Sequence, residues 1–184
     1  MYGILTWIFL LMELVNNYSS WITPEFMEFI KTNNGDTMPV WQPDKWKGHP
    51  LLDAAREKTR WGYAHRNHDF QQFNSQSPDM IKFNLTLPHI PMDDRKSFWW
   101  IVKLFPGQMQ PMHFDPHLIS IPNPLRYTMF LEDWKPGHIF VWDDNYISSY
   151  KAGDMFKWND PMMYHGVVNI GHETRYTLQI TTYD

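Results

Sequence analysis

The chain of 184 residues contains no cysteine. That absence removes disulfides, thiolate-bound metals and cysteine nucleophiles together, and it fits a reducing compartment, so the protein is expected in the cytoplasm. Neither sign of charge dominates: 16 Lys and Arg stand against 20 Asp and Glu, for a formal net charge of -4 and a pI near 6.1. A chain so balanced lacks the basic excess of an electrostatic nucleic-acid binder, and no nucleic-acid partner is expected. No apolar run reaches the roughly twenty residues that span a bilayer. The longest, Met1 to Val15, is interrupted by Glu13 and has neither a basic leader nor a small-residue cleavage site, so neither a membrane span nor a secretory signal is expected. Within it Ile4, Ile8, Leu11, Met12 and Val15 share a helical stripe, which predicts a helix on the outside of the fold or at a homodimer contact. Internal repeats and low-complexity runs are also missing.

What is present is apolar bulk. Aromatic residues make up 17% of the chain, which marks a packed globular protein rather than a disordered one. The length suits a single domain over residues 1–184, with a helical and loop support in 1–79 and a β core in 80–184. Thr23 as N-cap, Pro24 at the first helical position and Glu25 behind it open a helix whose buried face is Phe26, Phe29 and Ile30 and whose end is expected at Gly35. Met38 to Pro50 reads as an ordered loop anchored by Trp41 and Trp46, and Leu51 to Trp61 as a second helix. Gly62 to Pro78 is polar and turn-rich. Its His65, His68 and Asp69 lack a strand pattern and a third partner, so this stretch reads as a solvated loop or a lid over a site.

From Met80 onward the period changes to two. Ile81, Phe83, Leu85 and Leu87 alternate with polar residues up to Pro88. Further strands are expected over Ser97–Leu104, His113–Leu118, Arg126–Leu131, His138–Trp142, Ile147–Lys151, Met155–Trp158, His165–Ile170 and Tyr176–Thr182, separated by turns such as Pro106-Gly107 and Asp143-Asp144-Asn145. Many short strands at this spacing predict a mainly β sandwich or barrel.

One constellation carries chemistry. His113 and Asp115 in QPMHFDPH are followed far downstream by His165 in MMYHGVVN. Two neutral imidazoles and a carboxylate on one face of an octahedral Fe(II) leave three positions open, and this linear order is how such a site is written. On an extended strand residues two apart share a face, so His113 and Asp115 converge while Phe114 turns away. His117 forms an i, i+4 pair with His113 that would suit zinc on a helix, but Pro111 and Pro116 disfavour helix there. His138, His172 and His89 read as ordinary polar residues.

With Arg175 in ETRYTLQITTYD, ten residues beyond His165, this region resembles the double-stranded β-helix (jelly-roll, cupin-like) core of the 2-oxoglutarate/Fe(II)-dependent oxygenases. The run LRYTMFLEDWKPGHIFVWDD and the following YKAGDMFKWNDPMMYHGVVNIG are similar to the aspartyl/asparaginyl β-hydroxylase-like branch, including its short phage-borne versions, over roughly Phe98 to Asp184. The resemblance implies Fe(II) held by His113, Asp115 and His165, with 2-oxoglutarate and O2 as co-substrates. It also implies Arg175 gripping the far carboxylate of 2-oxoglutarate, a task that suits a planar guanidinium fork. Thr177 and Gln179 share a strand face with Arg175, and Thr128 stands where the branch has a 2-oxoglutarate-contacting His, so Thr128 and Thr177 are expected beside the co-substrate. Arg126 matches the branch's substrate-carboxylate Arg; a barrel-rim ion pair is the alternative for it. His117 and Trp134 are expected on the substrate side, and Trp158 as a pocket wall or a core aromatic. The implied activity is hydroxylation of an unactivated C–H in an amino acid, a peptidyl side chain or a small carboxylate metabolite, with release of succinate and CO2. Family halogenases replace the ligand carboxylate with a small residue, so an intact Asp115 favours hydroxylation. The alternative is a jelly roll that binds a ligand or partner without oxidation. A phage origin would put the protein in the host's cytoplasm.

Overall fold

The computed structural model describes residues 12–38, 70–74, 95–160 and 162–184. The expected helix over Leu51–Trp61, the strand through Ile81–Leu87, and the loops with Trp41, Trp46, His65, His68 and Asp69 lie outside the described residues, as does most of the apolar N-terminal stretch.

The described chain runs β1 (Glu13–Asn17), α1 (Pro24–Thr32), β2 (Asp36–Met38), β3 (Phe70–Asn74), β4 (Lys96–Leu104), β5 (Met109–His113), β6 (Leu125–Phe130), β7 (His138–Trp142), β8 (Asn145–Ile147), β9 (Asp154–Trp158), β10 (His165–Asn169) and β11 (Arg175–Tyr183). Two antiparallel sheets result. One has the order β1-β9-β6-β11-β4-β3-β2 and the other β5-β10-β7-β8. From β4 to β11 the chain crosses between the sheets at almost every connection, and β7-β8 is the one hairpin within a sheet. This is the strand order of a jelly roll, the mainly β fold expected for the C-terminal half.

Strand parity divides the larger sheet into two working faces. Along β11, Tyr176, Leu178 and Ile180 join Phe26 and Ile30 of α1, Ile101 of β4 and Met129 of β6 in an outer core. Along the same strand Arg175, Thr177 and Gln179 face the other way, toward the smaller sheet. The inner core between the sheets holds Val102, Leu104, Phe130, Phe140, Trp158 and Val167. The sheet is thus buried on both faces, and the polar side chains on its inner face must find partners inside the protein.

α1 begins as expected: Thr23 accepts a hydrogen bond from the Phe26 amide at 3.2 Å, and Pro24 occupies the first helical turn. It ends earlier than expected, at Thr32, because Asn33 turns extended and the Lys103 ammonium donates to the Asn33 carbonyl at 2.8 Å. Lys103 lies buried on the outer face of β4 with its nitrogen 5.7 Å from the ring centres of both Phe73 and Phe105, which fastens the helix C-terminus to the sheet.

Three expectations need correction. The end of the apolar N-terminal stretch is not helical: Glu13–Asn17 pairs with β9, and Met12 enters the inner core. An open edge on β9 offers backbone partners that a lone helix cannot use. The segment is held further on by Gly153, whose φ is +88° and whose carbonyl accepts from the Tyr18 amide at 2.8 Å; a Cβ there would meet the Ser19 nitrogen at 2.1 Å. Second, the strand expected over His113–Leu118 ends at His113, and Pro116–Ser120 forms a 3-10 turn. Pro116 has no amide hydrogen for a ladder, and its fixed φ suits the first position of the 3-10 turn that it opens. Third, the strand expected over Ile147–Lys151 is instead Asn145–Ile147, because Trp142 pairs directly with Asn145 and the hairpin loop is only Asp143-Asp144, with Asp143 at φ +44°. No helix among the described residues is long and apolar enough to cross a membrane.

Candidate metal centre

The two sheets close on a narrow cavity of about 40 Å³. Its lining includes His113, Asp115, Arg126, His165 and Arg175, four of which sit on four different strands. His113, at the end of β5, and His165, at the start of β10, are direct cross-strand partners in the smaller sheet, and their ring centres are 4.5 Å apart. Asp115 comes from the bend after β5 rather than from a strand. It still reaches the same point: His113 Nε2 is 3.7 Å from Asp115 Oδ1, and His165 Nε2 is 3.6 Å from Asp115 Oδ2. One ligand atom from each of the three residues lies within 4.8 Å of the others, a donor set and spacing that can hold a metal ion.

The surroundings prepare the ligands. His165 Nδ1 is 3.0 Å from the Met163 carbonyl, so Nδ1 donates and Nε2 is left as a lone-pair donor facing Asp115. Burial, reinforced by the neighbouring His113 ring, pushes the His165 pKa down to about 4, so the imidazole is neutral near pH 7, the form that binds a metal. The ring is boxed by Phe140 and Trp158, with centres 6.2 and 5.5 Å away. His113 Nε2 is 3.3 Å from the side-chain nitrogen of Gln110 on the same strand.

The larger sheet supplies two buried guanidiniums. Arg126 Nη2 is 2.9 Å from Asp115 Oδ2, and Nη1 donates to Thr181 Oγ1 at 3.0 Å. Its Cζ is 4.4 Å from the Trp100 ring centre, and its Nε has no partner among the described residues. Arg175 is 2% exposed, lies 5.3 Å over the Phe130 ring and lines the cavity. Its Nε and Nη2 have no hydrogen-bond partner among the described residues. Burial works against both charges, but a guanidinium keeps its proton even there.

Of the other residues singled out from the sequence, Thr177 lines the cavity beside Gln179. Thr128 is not among the lining residues; it stands one step behind them, donating to Gln179 Oε1 at 2.7 Å, and Gln179 donates to Thr177 Oγ1 at 3.3 Å. Trp134 points its indole N–H at the His138 carbonyl, 2.7 Å away, and is not among the lining residues. The His117 side chain lies outside the described residues. Sequence reasoning passed over Gln110, Trp100 and Tyr150. Trp100 could have been found from parity with Val102 on β4, and Gln110 from its place three residues before His113. Nothing in the local sequence marks Tyr150.

No protein-family model and no curated protein sequence matches the chain. Solved structures with a similar trace include the cupin domain of Cnp3 from Schizosaccharomyces pombe, at TM-score 0.40 and 11% identity over 62% of this chain and 65% of that one. A predicted oxalate decarboxylase from Thermotoga maritima matches at TM-score 0.40 and 15% identity, over 63% of this chain and 82% of that one. A putative sugar phosphate isomerase from Acidithiobacillus ferrooxidans matches at TM-score 0.42 and 14% identity, over 71% and 73%. At such identities and scores these likenesses add nothing to the jelly-roll topology, which stands on the strand order itself.

Proposed function

We propose that the protein is a non-haem Fe(II)- and 2-oxoglutarate-dependent dioxygenase that hydroxylates an unactivated C–H of an amino acid, a peptidyl side chain or a small carboxylate metabolite. The observation that carries this reading is a coincidence in one cavity: a two-histidine, one-carboxylate cluster shares its walls with Arg175, a buried cation with two N–H edges unanswered among the described residues. Leaving those edges unpaired is costly unless a ligand meets them. A planar fork with free edges suits a carboxylate, and the donor set suits Fe(II) with open positions.

Bound here, iron together with oxygen and 2-oxoglutarate would supply the oxidising power, with succinate and CO2 as the co-substrate's products. The chain's residues do the rest. His113, Asp115 and His165 would hold the ion, and Met163, through its carbonyl, keeps the His165 ring turned toward their common centre. Arg126 holds one Asp115 oxygen and so keeps the other directed into the site. Arg175 would fix the far carboxylate of the co-substrate, with Thr177 on the same wall and Thr128 behind it, bonded to Gln179. Trp100, Val102, Phe140 and Val167 keep the remaining space apolar and restrict water.

The test is anaerobic addition of Fe(II) and then 2-oxoglutarate to metal-free protein. The expected result is the visible charge-transfer band of the chelate, abolished in His113→Ala and needing far more 2-oxoglutarate in Arg175→Ala. Fe(II) binding without a band would instead make the protein a non-oxidative, ligand-binding jelly roll.

A further inference from the structure

Behind Arg175 lies a row of polar groups that the proposed chemistry does not itself require. The Tyr150 hydroxyl lies beside the Arg175 guanidinium, close enough to act on its charge. The same hydroxyl lies 3.5 Å from His138 Nδ1, a long hydrogen bond, and His138 Nε2 is 2.9 Å from the Glu173 carbonyl. Donor and acceptor rules give this row one direction. A carbonyl can only accept, so His138 Nε2 carries the proton. His138 is buried, and that burial favours the neutral ring, which leaves Nδ1 as an acceptor. Tyr150 therefore gives its one proton to His138, and its oxygen is left to accept from Arg175, which has no acceptor of its own.

Packing fixes the same geometry independently. The Tyr150 ring is stacked on Phe130 at 3.6 Å and 9°, and Arg175 Cζ sits over that Phe130 ring. The turn that leads into Arg175 is clamped as well. Asn169 is fully buried and donates to the Glu173 carbonyl at 2.7 Å and to the Leu104 carbonyl at 2.9 Å, while accepting from the Gly171 amide at 3.1 Å.

We infer that Tyr150 and His138 are positioning residues for Arg175: they hold the guanidinium so that its unpaired Nε and Nη2 edges meet the far carboxylate of a dicarboxylate co-substrate, and so set its affinity. The inference rests on the reading of Arg175 given under Proposed function.

The test is 2-oxoglutarate binding to Mn(II)-loaded protein, by calorimetry, in the wild type, Tyr150→Phe, His138→Leu and the double variant. Tyr150→Phe keeps the stacked ring and loses only the hydroxyl. The expected result is a Kd raised about tenfold in Tyr150→Phe and several-fold in His138→Leu. The double variant is expected to be no weaker than Tyr150→Phe alone, because both act through one row, and Mn(II) affinity should not change in any of them. A wild-type Kd in either folded single variant would overturn the inference, as would losses that multiply in the double variant. If one variant does not fold, the other single variant decides alone. A wild type that takes up Mn(II) but no 2-oxoglutarate would remove the reading of Arg175 and this inference together, whereas normal wild-type binding with unaffected variants removes this inference only.

Discussion

Arg126 and Asp115 form a buried ion pair, Nη2 to Oδ2 at 2.9 Å, in which the acid is at the same time the carboxylate of the candidate metal centre. The guanidinium is 4% exposed and wedged against Trp100, so it has little freedom to leave. Arg126→Met strips a buried carboxylate of its counter-charge. The metal-free variant is expected to lose roughly 3 kcal/mol of stability. A divalent ion replaces the lost cation and no longer faces a like charge beside it, so Mn(II) should raise the melting temperature of the variant more than that of the wild type. Thermal melts of both proteins with and without Mn(II) check this, and an equal or smaller shift in the variant would count against it.

His165 makes the metal-free protein sensitive to acid. In the unfolded chain its imidazole takes up a proton near 6.5, and in the folded protein only at about 4. Between those values the unfolded state binds more protons, so the contribution is complete above about pH 6.5 and is lost as the pH falls toward 4, on the order of 3 kcal/mol in all. His165→Gln should remove this part of the pH dependence. Urea titrations of the two metal-free proteins at pH 7.5 and 4.5 measure it; equal losses in both would show that another group is responsible.

Arg175 is expected to weaken the fold it serves. Its cation is buried with two N–H edges unpaired among the described residues, so Arg175→Met should leave the ligand-free protein as stable as the wild type or more stable, by about 1–2 kcal/mol. The same change should weaken 2-oxoglutarate binding by on the order of a hundredfold. Denaturant unfolding beside co-substrate titration reads both; a large loss of stability would mean that Arg175 is structural.

The apolar, β-branched and aromatic runs at Ser97–Leu104, Arg126–Leu131 and Tyr176–Thr182, bounded by turn residues, located β4, β6 and β11 to within a residue or so, because strands buried on both faces of a sheet carry near-continuous apolar character. His113, Asp115 and His165 were legible as a group, although Asp115 converges by a bend before Pro116 and not by strand parity. β1 was hidden because the pairing that makes it a strand lies on β9, far along the chain. Tyr150, His138 and Asn169 were hidden for a related reason: each gains its role from atoms on another strand or turn, and none differs in local sequence from a plain packing residue.

The direct pairing of His113 with His165 across β5 and β10 ties ion binding to strand register. If β5 slipped by one residue, Met112 or Phe114 would stand opposite His165, and every side chain of that edge strand would swap faces. Such a molecule could keep most of its secondary structure and still present no two-histidine site. The fraction of a preparation that retains a stoichiometric ion after desalting would therefore count the correctly registered molecules, a measure of folding quality that bulk spectroscopy of strand content does not provide.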